Sequence, residues 1–352
     1  MNKAKTGDIV AGARCAPRVA LAFALLLVVG CGKPAEPAAQ AVRARATSAA
    51  VVVEALPAGF TSATAQASGT TLHYVVGGQG PALILIHGFP ENWSAFATIM
   101  PGLASKFRVV AVDLRGIGGS TPVQGDYETA TMAEDIHQLA QELRLDRPYV
   151  VGHDIGGGIA YAIARLHPDA IRGAMILDVP IPGVDPWDQI KVNPALWHFG
   201  FHRAPGLAEK LLAGREVIYF DYFLRDKVAD PKSISDEAIA RYARAYSLPG
   251  QMAAAMNMYR AKDGEKFGRE RRGPLEVPLV LVGGAVRNKG FGEFLPAVAK
   301  GLKGAGARSA AVETIAGSGH YVVDEKPAEV AALIERYASS DAKPPNQQQT
   351  SK

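Results

Sequence analysis

The strongest constraint on the fold is a short glycine-containing segment between an apolar run and a run of small residues. Residues 152–156 read GHDIG, with a strand-like pattern at 149–151 before them and a helical pattern over 156–167 after them. Gly152 and Gly156 permit a tight strand-to-helix turn that raises the side chain of Asp154 above the strand end. A carboxylate placed there can displace a leaving group from a saturated carbon, which leaves an alkyl ester on the protein. Capping of the following helix by Asp154 is the alternative interpretation.

Strand-like and helix-like segments alternate on both sides of this turn. Strands are predicted at 72–76, 82–87, 109–112, 149–151, 174–177, 277–282 and 311–315, and helices at 93–104, 132–143, 156–167 and 328–337. This alternation predicts an α/β domain built on a parallel sheet. The alternation stops at Asp178, and residues 183–272 have a mainly helical pattern and hold 12 of the 26 aromatic side chains. We therefore expect a helical insertion at 183–272 in a core formed by 58–182 and 273–340.

The first 30 residues are predicted to be a targeting segment rather than part of the fold. A polar, weakly basic start precedes the apolar run 19–30, which is too short for a comfortable membrane span. The run leads into VVGC at 28–31, which resembles a bacterial lipobox with Cys31 as the lipidated residue. A plain secretory signal or an uncleaved anchor is the alternative. We expect lipid-anchored export to the bacterial cell envelope or secretion, a flexible tether at 31–57 and a disordered tail at 341–352.

Charge and cysteine content argue against several classes of partner and cofactor. The formal net charge is +4, and the first 30 residues supply +3 of it through four Lys or Arg side chains and one Asp. The remainder shows no basic stripe of the kind that indicates a nucleic-acid partner. Cys15 and Cys31 are the two cysteines, so loss of residues 1–30 would leave no pair for a disulfide. No set of possible ligands has the spacing of a metal site, and we expect neither a metal nor a cofactor.

Two further motifs supply what an aspartyl ester needs for its hydrolysis. The backbone N–H groups of Phe89, in HGFP at 87–90, and of Ile155 can form an oxyanion hole. Hydrolysis of the ester also requires a general base. His320 is the candidate, because it lies in a loop after the last predicted strand and follows the nucleophile in the chain.

The base in turn needs a carboxylate that orients it. In proteins with the order nucleophile, acid, histidine, this carboxylate usually follows the strand that is here predicted at 277–282. No acidic residue follows that strand before Glu293. Asp178, at the end of the preceding strand, is therefore the candidate orienting acid, and a loop-capping role is the alternative.

With these residues the chain resembles the α/β-hydrolase superfamily over about residues 58–340, in particular its aspartate-nucleophile epoxide hydrolases and dehalogenases. The likeness to secreted bacterial epoxide hydrolases of the Cif type is carried by GHDIG at 152–156, VPIP at 179–182, LWHF at 196–199 and YARAY at 242–246. The resemblance implies a mostly parallel eight-stranded sheet with helices on both faces and a helical cap inserted after strand 6. It also implies an orienting acid placed one strand early, where Asp178 stands.

The resemblance further implies two donors in the cap. A histidine and a tyrosine hold the epoxide oxygen in these relatives, and by motif they are His198 and Tyr246 here, with Tyr242 as the alternative tyrosine. Opening an epoxide generates an alkoxide that such donors stabilise or protonate, whereas a departing halide needs no proton. The pair therefore favours an epoxide as the small-molecule substrate.

Departures from the dehalogenase pattern bear on the same choice. Fluoroacetate dehalogenases bind the substrate carboxylate through arginines directly after the nucleophile and three residues further on, where this chain has Ile155 and Gly158. Phe199 stands in the place of their halide-binding tryptophan. We therefore expect an epoxide hydrolase that forms vicinal diols through an aspartyl ester. A haloalkane or haloacid dehalogenase is the alternative, and a catalytically silent binding protein on this fold is the third.

Overall fold

The computed structural model describes residues 55–261 and 263–339. Eight strands within these residues have the bounds β1 Phe60–Ala67, β2 Thr70–Gly77, β3 Ala82–Ile86, β4 Arg108–Val112, β5 Tyr149–His153, β6 Gly173–Leu177, β7 Leu279–Gly284 and β8 Ala310–Ile315. They form one sheet in the order β1-β2-β4-β3-β5-β6-β7-β8. β2 pairs antiparallel with β1 and β4, and the remaining pairs are parallel. The predicted mostly parallel eight-stranded sheet is confirmed.

Burial of the strands explains which of them the sequence reveals. Every residue of β3, β5, β6 and β7 is buried, so both faces of the central sheet are covered, as is usual for parallel sheets. These strands are continuous apolar runs, and the sequence predicts all four. β1 is an edge strand with several exposed residues. Its sequence FTSATAQA has no strong apolar pattern, so the sequence predicts no strand there.

Helices cover the sheet along the rest of the chain. Outside the segment between β6 and β7 they are α1 Met100–Leu103, α2 Thr129–Glu142, α3 Ile155–Leu166, α11 Leu295–Gly304, α12 Val322–Glu325 and α13 Pro327–Ala338. The single helix predicted at 93–104 is instead a 3-10 turn, Trp93–Phe96, followed by α1. Pro101 explains the break, because proline has no N–H for the helical hydrogen bond to the preceding turn.

The segment between β6 and β7 is helical, as the sequence predicts. Its helices are α4 Trp187–Ile190, α5 Trp197–Arg203, α6 Leu207–Leu212, α7 Glu216–Lys227, α8 Asp236–Ser247, α9 Gln251–Arg260 and α10 Asp263–Glu270. We call this group of helices the cap. The domain boundaries given above, 58–182 with 273–340 for the core and 183–272 for the insertion, stay predictions.

The N-terminal predictions fall largely outside the described residues. The targeting segment 1–30, Cys31, most of the tether 31–57 and the tail 341–352 are in this position. The last residues of the tether are described, and Leu56 packs against the hydrophobic core, so the folded part begins slightly before residue 58. None of the helices in 55–261 and 263–339 is long and apolar enough to cross a bilayer.

Candidate active site

The turn between β5 and α3 has the geometry that its sequence predicts. A Cβ atom on Gly152 would lie 2.0 Å from the carbonyl oxygen of Gly156, and one on Gly156 would lie 2.3 Å from that of Ile86. Asp154 between them adopts φ 48° and ψ −119°, an unfavourable conformation for a residue with a side chain. Its side chain makes no capping hydrogen bond to α3. The carboxylate is therefore not used as a helix cap and projects from the strand end.

The loop after β3 brings a backbone donor to this carboxylate. The N–H of Phe89 donates to Oδ2 of Asp154 at 3.2 Å. The loop is fixed from behind, because the Tyr321 hydroxyl donates to the Phe89 carbonyl at 3.0 Å and the Gly88 N–H donates to Glu91 Oε2 at 3.0 Å. The Phe89 amide thus has a defined position beside Asp154. The second predicted donor, the Ile155 N–H, belongs to the first residue of α3, where amides have no acceptor within the helix.

The structure brings His320 and Asp178 together. Nδ1 of His320 and Oδ2 of Asp178 are 2.7 Å apart, and both side chains are buried. With Nδ1 engaged, Nε2 is the ring nitrogen that can act as a base. His320 also lines the same cavity as Asp154. Asp154, Asp178 and His320 follow the carboxyl ends of β5, β6 and β8, in the chain order of nucleophile, acid and base that the sequence predicts.

The loop after β7 explains how Asp178 can serve from an earlier strand. Instead of an acidic side chain, this loop supplies amides to Asp178: Gly284 N–H donates to Oδ1 at 2.8 Å, and Phe291 N–H lies 3.0 Å from Oδ1 and 3.2 Å from Oδ2. These backbone donors fix the position of the Asp178 carboxylate, which can hold His320 in one orientation.

Behind the nucleophile lies an ion pair that no sequence motif indicates. His153 Nδ1 lies 2.7 Å from Glu91 Oε2, and His153 Nε2 lies 2.9 Å from the backbone carbonyl of His320. Burial disfavours the charged imidazole, but the charge and hydrogen bond of Glu91 outweigh it and raise the pKa of His153 to about 10. A protonated His153 donates at both nitrogens. His153 therefore connects the loop after β3, which carries Phe89 and Glu91, to the backbone of His320.

A cavity of about 660 Å³ opens above these groups. Its walls come from the strand ends and from the cap, and they include Phe89, Asp154, Ile155, Tyr161, Leu196, His198, Phe199, Phe223, Lys227, Tyr259, Phe291 and His320. Apolar and aromatic side chains are in the majority, as in many small-molecule sites, and charged side chains of the cap and of the loop after β7 also line the cavity. Among the described residues, no group of three or more His, Cys, Asp or Glu side chains could hold a metal.

The prediction for the cap tyrosine needs correction. The hydroxyl of Tyr246 donates to the backbone carbonyl of Glu91 at 2.9 Å, and Tyr246 does not line the cavity. Tyr242, the alternative, donates to Asp324 at 3.3 Å and is also absent from the cavity wall. Both hydroxyls are used inside the fold, since a buried hydroxyl needs a partner. The structure instead places Tyr259, on α9, in the cavity.

His198 and Tyr259 form a pair of neutral donors on the cap side of the cavity. Their ring centroids are 5.9 Å apart. Burial, with a smaller effect of Lys227, lowers the pKa of His198 to about 2, so its imidazole is neutral and carries one proton. Burial and the charge of Asp154 raise the pKa of Tyr259 well above its usual value, so its hydroxyl keeps its proton. Nδ1 of His198 is buried and has no hydrogen-bond partner among the described residues.

Sequence reasoning had no signal for Tyr259. It is one of many aromatic residues in the cap, and its segment MYR contains no motif. His202 lies close to it as well, with ring centroids 4.4 Å apart, but Nε2 of His202 is 2.6 Å from the Tyr219 hydroxyl. The cavity therefore contains the predicted Asp154, His320, His198, Phe89 and Ile155, with Tyr259 in addition.

Comparison with known proteins agrees with this architecture. Residues 81–327 match the model of the α/β hydrolase fold family. A soluble epoxide hydrolase from Corynebacterium sp. (strain C12) is 34% identical over 75% of this chain and 92% of its own length. A fluoroacetate dehalogenase from Burkholderia sp. is 30% identical over 80% of this chain and 94% of its own length.

Solved structures give the same result. The epoxide hydrolase CorEH is 30% identical, covers 80% of this chain and 99% of its own, and superposes with a TM-score of 0.71. The Cif epoxide hydrolase from Acinetobacter nosocomialis, at 23% identity over 80% of this chain and 90% of its own, shares the fold with a TM-score of 0.71. The chain belongs to the α/β-hydrolase fold family and resembles its epoxide hydrolases.

Proposed function

We propose that this protein is an epoxide hydrolase that converts a small-molecule epoxide to a vicinal diol through an ester of Asp154. One observation carries the proposal: a carboxylate at the strand-to-helix turn faces a cavity whose opposite wall holds two proton-bearing neutral donors, His198 and Tyr259. A carboxylate can open an epoxide by attack on carbon, and the opened ring then requires a proton donor.

In the first step a carboxylate oxygen of Asp154 attacks an epoxide carbon. A C–O bond to Asp154 forms, the C–O bond of the ring breaks, and its electron pair goes to the ring oxygen. Tyr259 and His198 stabilise the developing alkoxide by hydrogen bonds, and Tyr259 supplies the proton. The high pKa of Tyr259 matches this role, because the hydroxyl remains protonated until an alkoxide of still higher basicity forms.

In the second step Nε2 of His320 removes a proton from water, and the hydroxide attacks the carbonyl carbon of the ester. The N–H groups of Phe89 and Ile155 stabilise the tetrahedral oxyanion. Asp178 stabilises the protonated His320 through the 2.7 Å contact with Nδ1. Collapse breaks the C–O bond between the acyl carbon and the leaving oxygen, which takes the hydroxyl proton of the intermediate, so the diol and the Asp154 carboxylate are released. The proton on His320 passes through solvent to Tyr259, which restores both side chains.

Two relatives support the coarse function, and they also define the second candidate. The epoxide hydrolase at 34% identity shares most of its length with this chain, and the fluoroacetate dehalogenase at 30% shares a similar part. A dehalogenase would use the same Asp154 and His320. Ile155 and Gly158, the positions that follow Asp154, carry no charge for the carboxylate of a small haloacid bound beside the nucleophile, whereas the donors His198 and Tyr259 suit an alkoxide.

Trapping of the ester tests both candidates at once. His320→Gln removes the base of the second step, so the ester should accumulate. We expect intact mass spectrometry to show the full mass of an epoxide added to this variant, mapped to the peptide that contains Asp154. A haloalkane or haloacid would instead add its mass less that of the hydrogen halide.

The matched control is the double variant Asp154→Ala, His320→Gln, which should show no adduct with either set. An adduct from halides alone would establish the dehalogenase instead of the epoxide hydrolase. Absence of any adduct from a broad panel of both, with correctly folded protein, would contradict the aspartyl-ester mechanism.

A further inference from the structure

Lys227, at the end of α7, places a cation in the wall of the active-site cavity. The side chain is half-buried. Its Nζ lies 3.4 Å from the carbonyl oxygen of Ala195 and 4.9 Å from the ring centroid of Phe223. No carboxylate in the described part of the chain forms an ion pair with it. A partly buried ammonium that lacks a counter-ion is an unusual feature of a cavity wall.

The other cations of the cavity wall are occupied or exposed. Arg260 pairs with Glu209 at 2.6 Å, and Lys289 lies 3.8 Å from Asp226. Arg203 is exposed and donates to the backbone carbonyl of Tyr259 at 3.0 Å. Lys227 therefore differs from them in combining burial with the lack of an ion pair among the described residues, and the carboxylates whose charges act on it are Asp226 and Asp154.

The position of Lys227 also connects it to the catalytic groups. The backbone carbonyl of Lys227 accepts a hydrogen bond from the N–H of His320 at 2.9 Å. The backbone of Lys227 is therefore held next to the proposed base. Burial is the main cause of the lowered pKa of His198, and the positive charge of Lys227 is the second cause. The ammonium therefore acts electrostatically on His198. Asp154 and Asp226 in the same wall repel an anionic group, so such a group is favoured only where it contacts the Lys227 ammonium.

We propose that Lys227 forms an anion subsite, which binds a carboxylate carried by the substrate beyond its epoxide ring. The inference rests on the proposed function and narrows it to epoxides that bear an acidic group. The residues after the nucleophile, Ile155 and Gly158, provide no charge, so the cation that recognises the carboxylate comes from the cap. The ammonium gains a counter-ion on binding, and the reacting carbon is oriented by a contact at the other end of the molecule.

A matched pair of substrates tests the subsite. We would compare 4-(oxiran-2-yl)benzoate with its methyl ester, which has the same reacting ring and no charge. In the wild type we expect a lower KM for the benzoate. Lys227→Met keeps the aliphatic stem and should raise the KM of the benzoate about tenfold, which corresponds to about 1.4 kcal/mol. The KM of the ester and both kcat values should change less than twofold, and Lys227→Arg should restore binding of the benzoate.

Lys289→Met is the control, because Lys289 also lines the cavity but lies near Asp226. It should leave both substrates unaffected. An equal loss of kcat with the two substrates in Lys227→Met would overturn the proposal, since Lys227 would then act on ring opening itself. Equal KM values for the two substrates in the wild type would overturn it as well, while leaving the epoxide hydrolase activity intact.

Failure of the proposed function can be distinguished from failure of the subsite by direct binding. The diol derived from the benzoate carries the same carboxylate and can be titrated by calorimetry whether or not the protein opens epoxides. We expect binding in the wild type and about tenfold weaker binding in Lys227→Met. Binding that is unchanged in this variant would refute the subsite, and binding that depends on Lys227 without any epoxide turnover would refute the proposed activity alone.

Discussion

At the scale of single residues, the two cap tyrosines show how surroundings assign different roles to the same side chain. The Tyr246 hydroxyl is directed at a backbone carbonyl of the loop that carries Phe89, where it supports the loop. Tyr259 reaches the cavity that contains Asp154 and shares it with His198. A buried hydroxyl that already donates to a carbonyl cannot donate to an alkoxide without leaving that carbonyl unpaired.

Substitution of these tyrosines should therefore have opposite consequences. Tyr259→Phe removes the proton donor, and we expect kcat/KM for epoxides to fall at least about 100-fold with little change in the free energy of unfolding. Tyr246→Phe leaves the Glu91 carbonyl unpaired, so we expect a loss of about 1–3 kcal/mol in stability and a much smaller loss of activity. Initial rates and urea denaturation of both variants measure this. A greater loss of activity in Tyr246→Phe than in Tyr259→Phe would favour the assignment made from the sequence motif.

At the scale of secondary structure, the close approach of α3 to β3 fixes the position of Asp154. The first turn of α3 packs so near the end of β3 that a Cβ on Gly156 would lie 2.3 Å from the Ile86 carbonyl oxygen. Two positions further on, a Cβ on Gly158 would meet nothing within 4 Å. The two glycines thus lie in one helix under different steric constraints.

This difference gives a stability test of the turn. Gly156→Ala forces either α3 or β3 to move, and we expect a loss of about 2–3 kcal/mol in the free energy of unfolding. Gly158→Ala is the matched control, because it adds the same methyl group in open space and favours the helix by up to about 1 kcal/mol. Chemical denaturation of both variants measures the difference. Equal stability of the two variants would show that the strand-to-helix turn is not tightly packed.

At the scale of the whole molecule, titratable side chains from separate elements lie close together on the side of Asp154 that faces away from the cavity. Glu91 lies in the loop after β3, His153 at the end of β5 and Asp324 in α12; Glu91 and His153 are buried, and Asp324 is half-buried. Burial and the charge of Glu91 raise the pKa of Asp324 to about 8. Oδ2 of Asp324 and Oε1 of Glu91 are buried without a hydrogen-bond partner among the described residues. The fold therefore holds a proton on Asp324 that the unfolded chain releases near the usual aspartate pKa of 3.8.

The sign of the resulting pH effect follows from proton linkage. Between about pH 4 and pH 8 the native state binds the proton of Asp324 and the unfolded state does not, so stability falls as the pH rises. His153 acts in the same direction at higher pH. The stability that it contributes is complete below the usual histidine pKa of 6.5 and is lost as the pH rises toward about 10. Both groups thus favour the folded state at the acidic end of the range.

Asp324→Asn isolates one of these contributions. The amide resembles the protonated acid and does not titrate, so we expect the stability of this variant to decline less between pH 5 and pH 8 than that of the wild type. The difference should be on the order of 1 kcal/mol per pH unit at most. Denaturation at several pH values measures it, and Asp169→Asn, at an exposed position, is the control. Parallel pH profiles for Asp324→Asn and the wild type would contradict a raised pKa of Asp324.

The sequence by itself determined the central strands of the sheet and placed Asp154, His320 and Asp178, the proposed nucleophile, base and acid, at one edge of it. Buried strands are continuous apolar runs, and residues that follow parallel strands meet at one edge of the sheet, so Asp154, Asp178 and His320 could be placed together from their order. The turn also has a local signature, because Gly152 and Gly156 are required by close backbone contacts.

Only the tertiary structure decided which cap side chains line the cavity that contains Asp154. Helix periodicity tells which face of a helix is apolar, but the orientation of α5, α7, α8 and α9 depends on how they pack on one another and on the Phe89 loop. That packing turns Tyr246 toward a backbone carbonyl and Tyr259 toward the cavity. It also leaves Lys227 beside His320 without an ion pair among the described residues, and it buries Glu91 against His153. These contacts join residues far apart in the chain, and no local pattern records them.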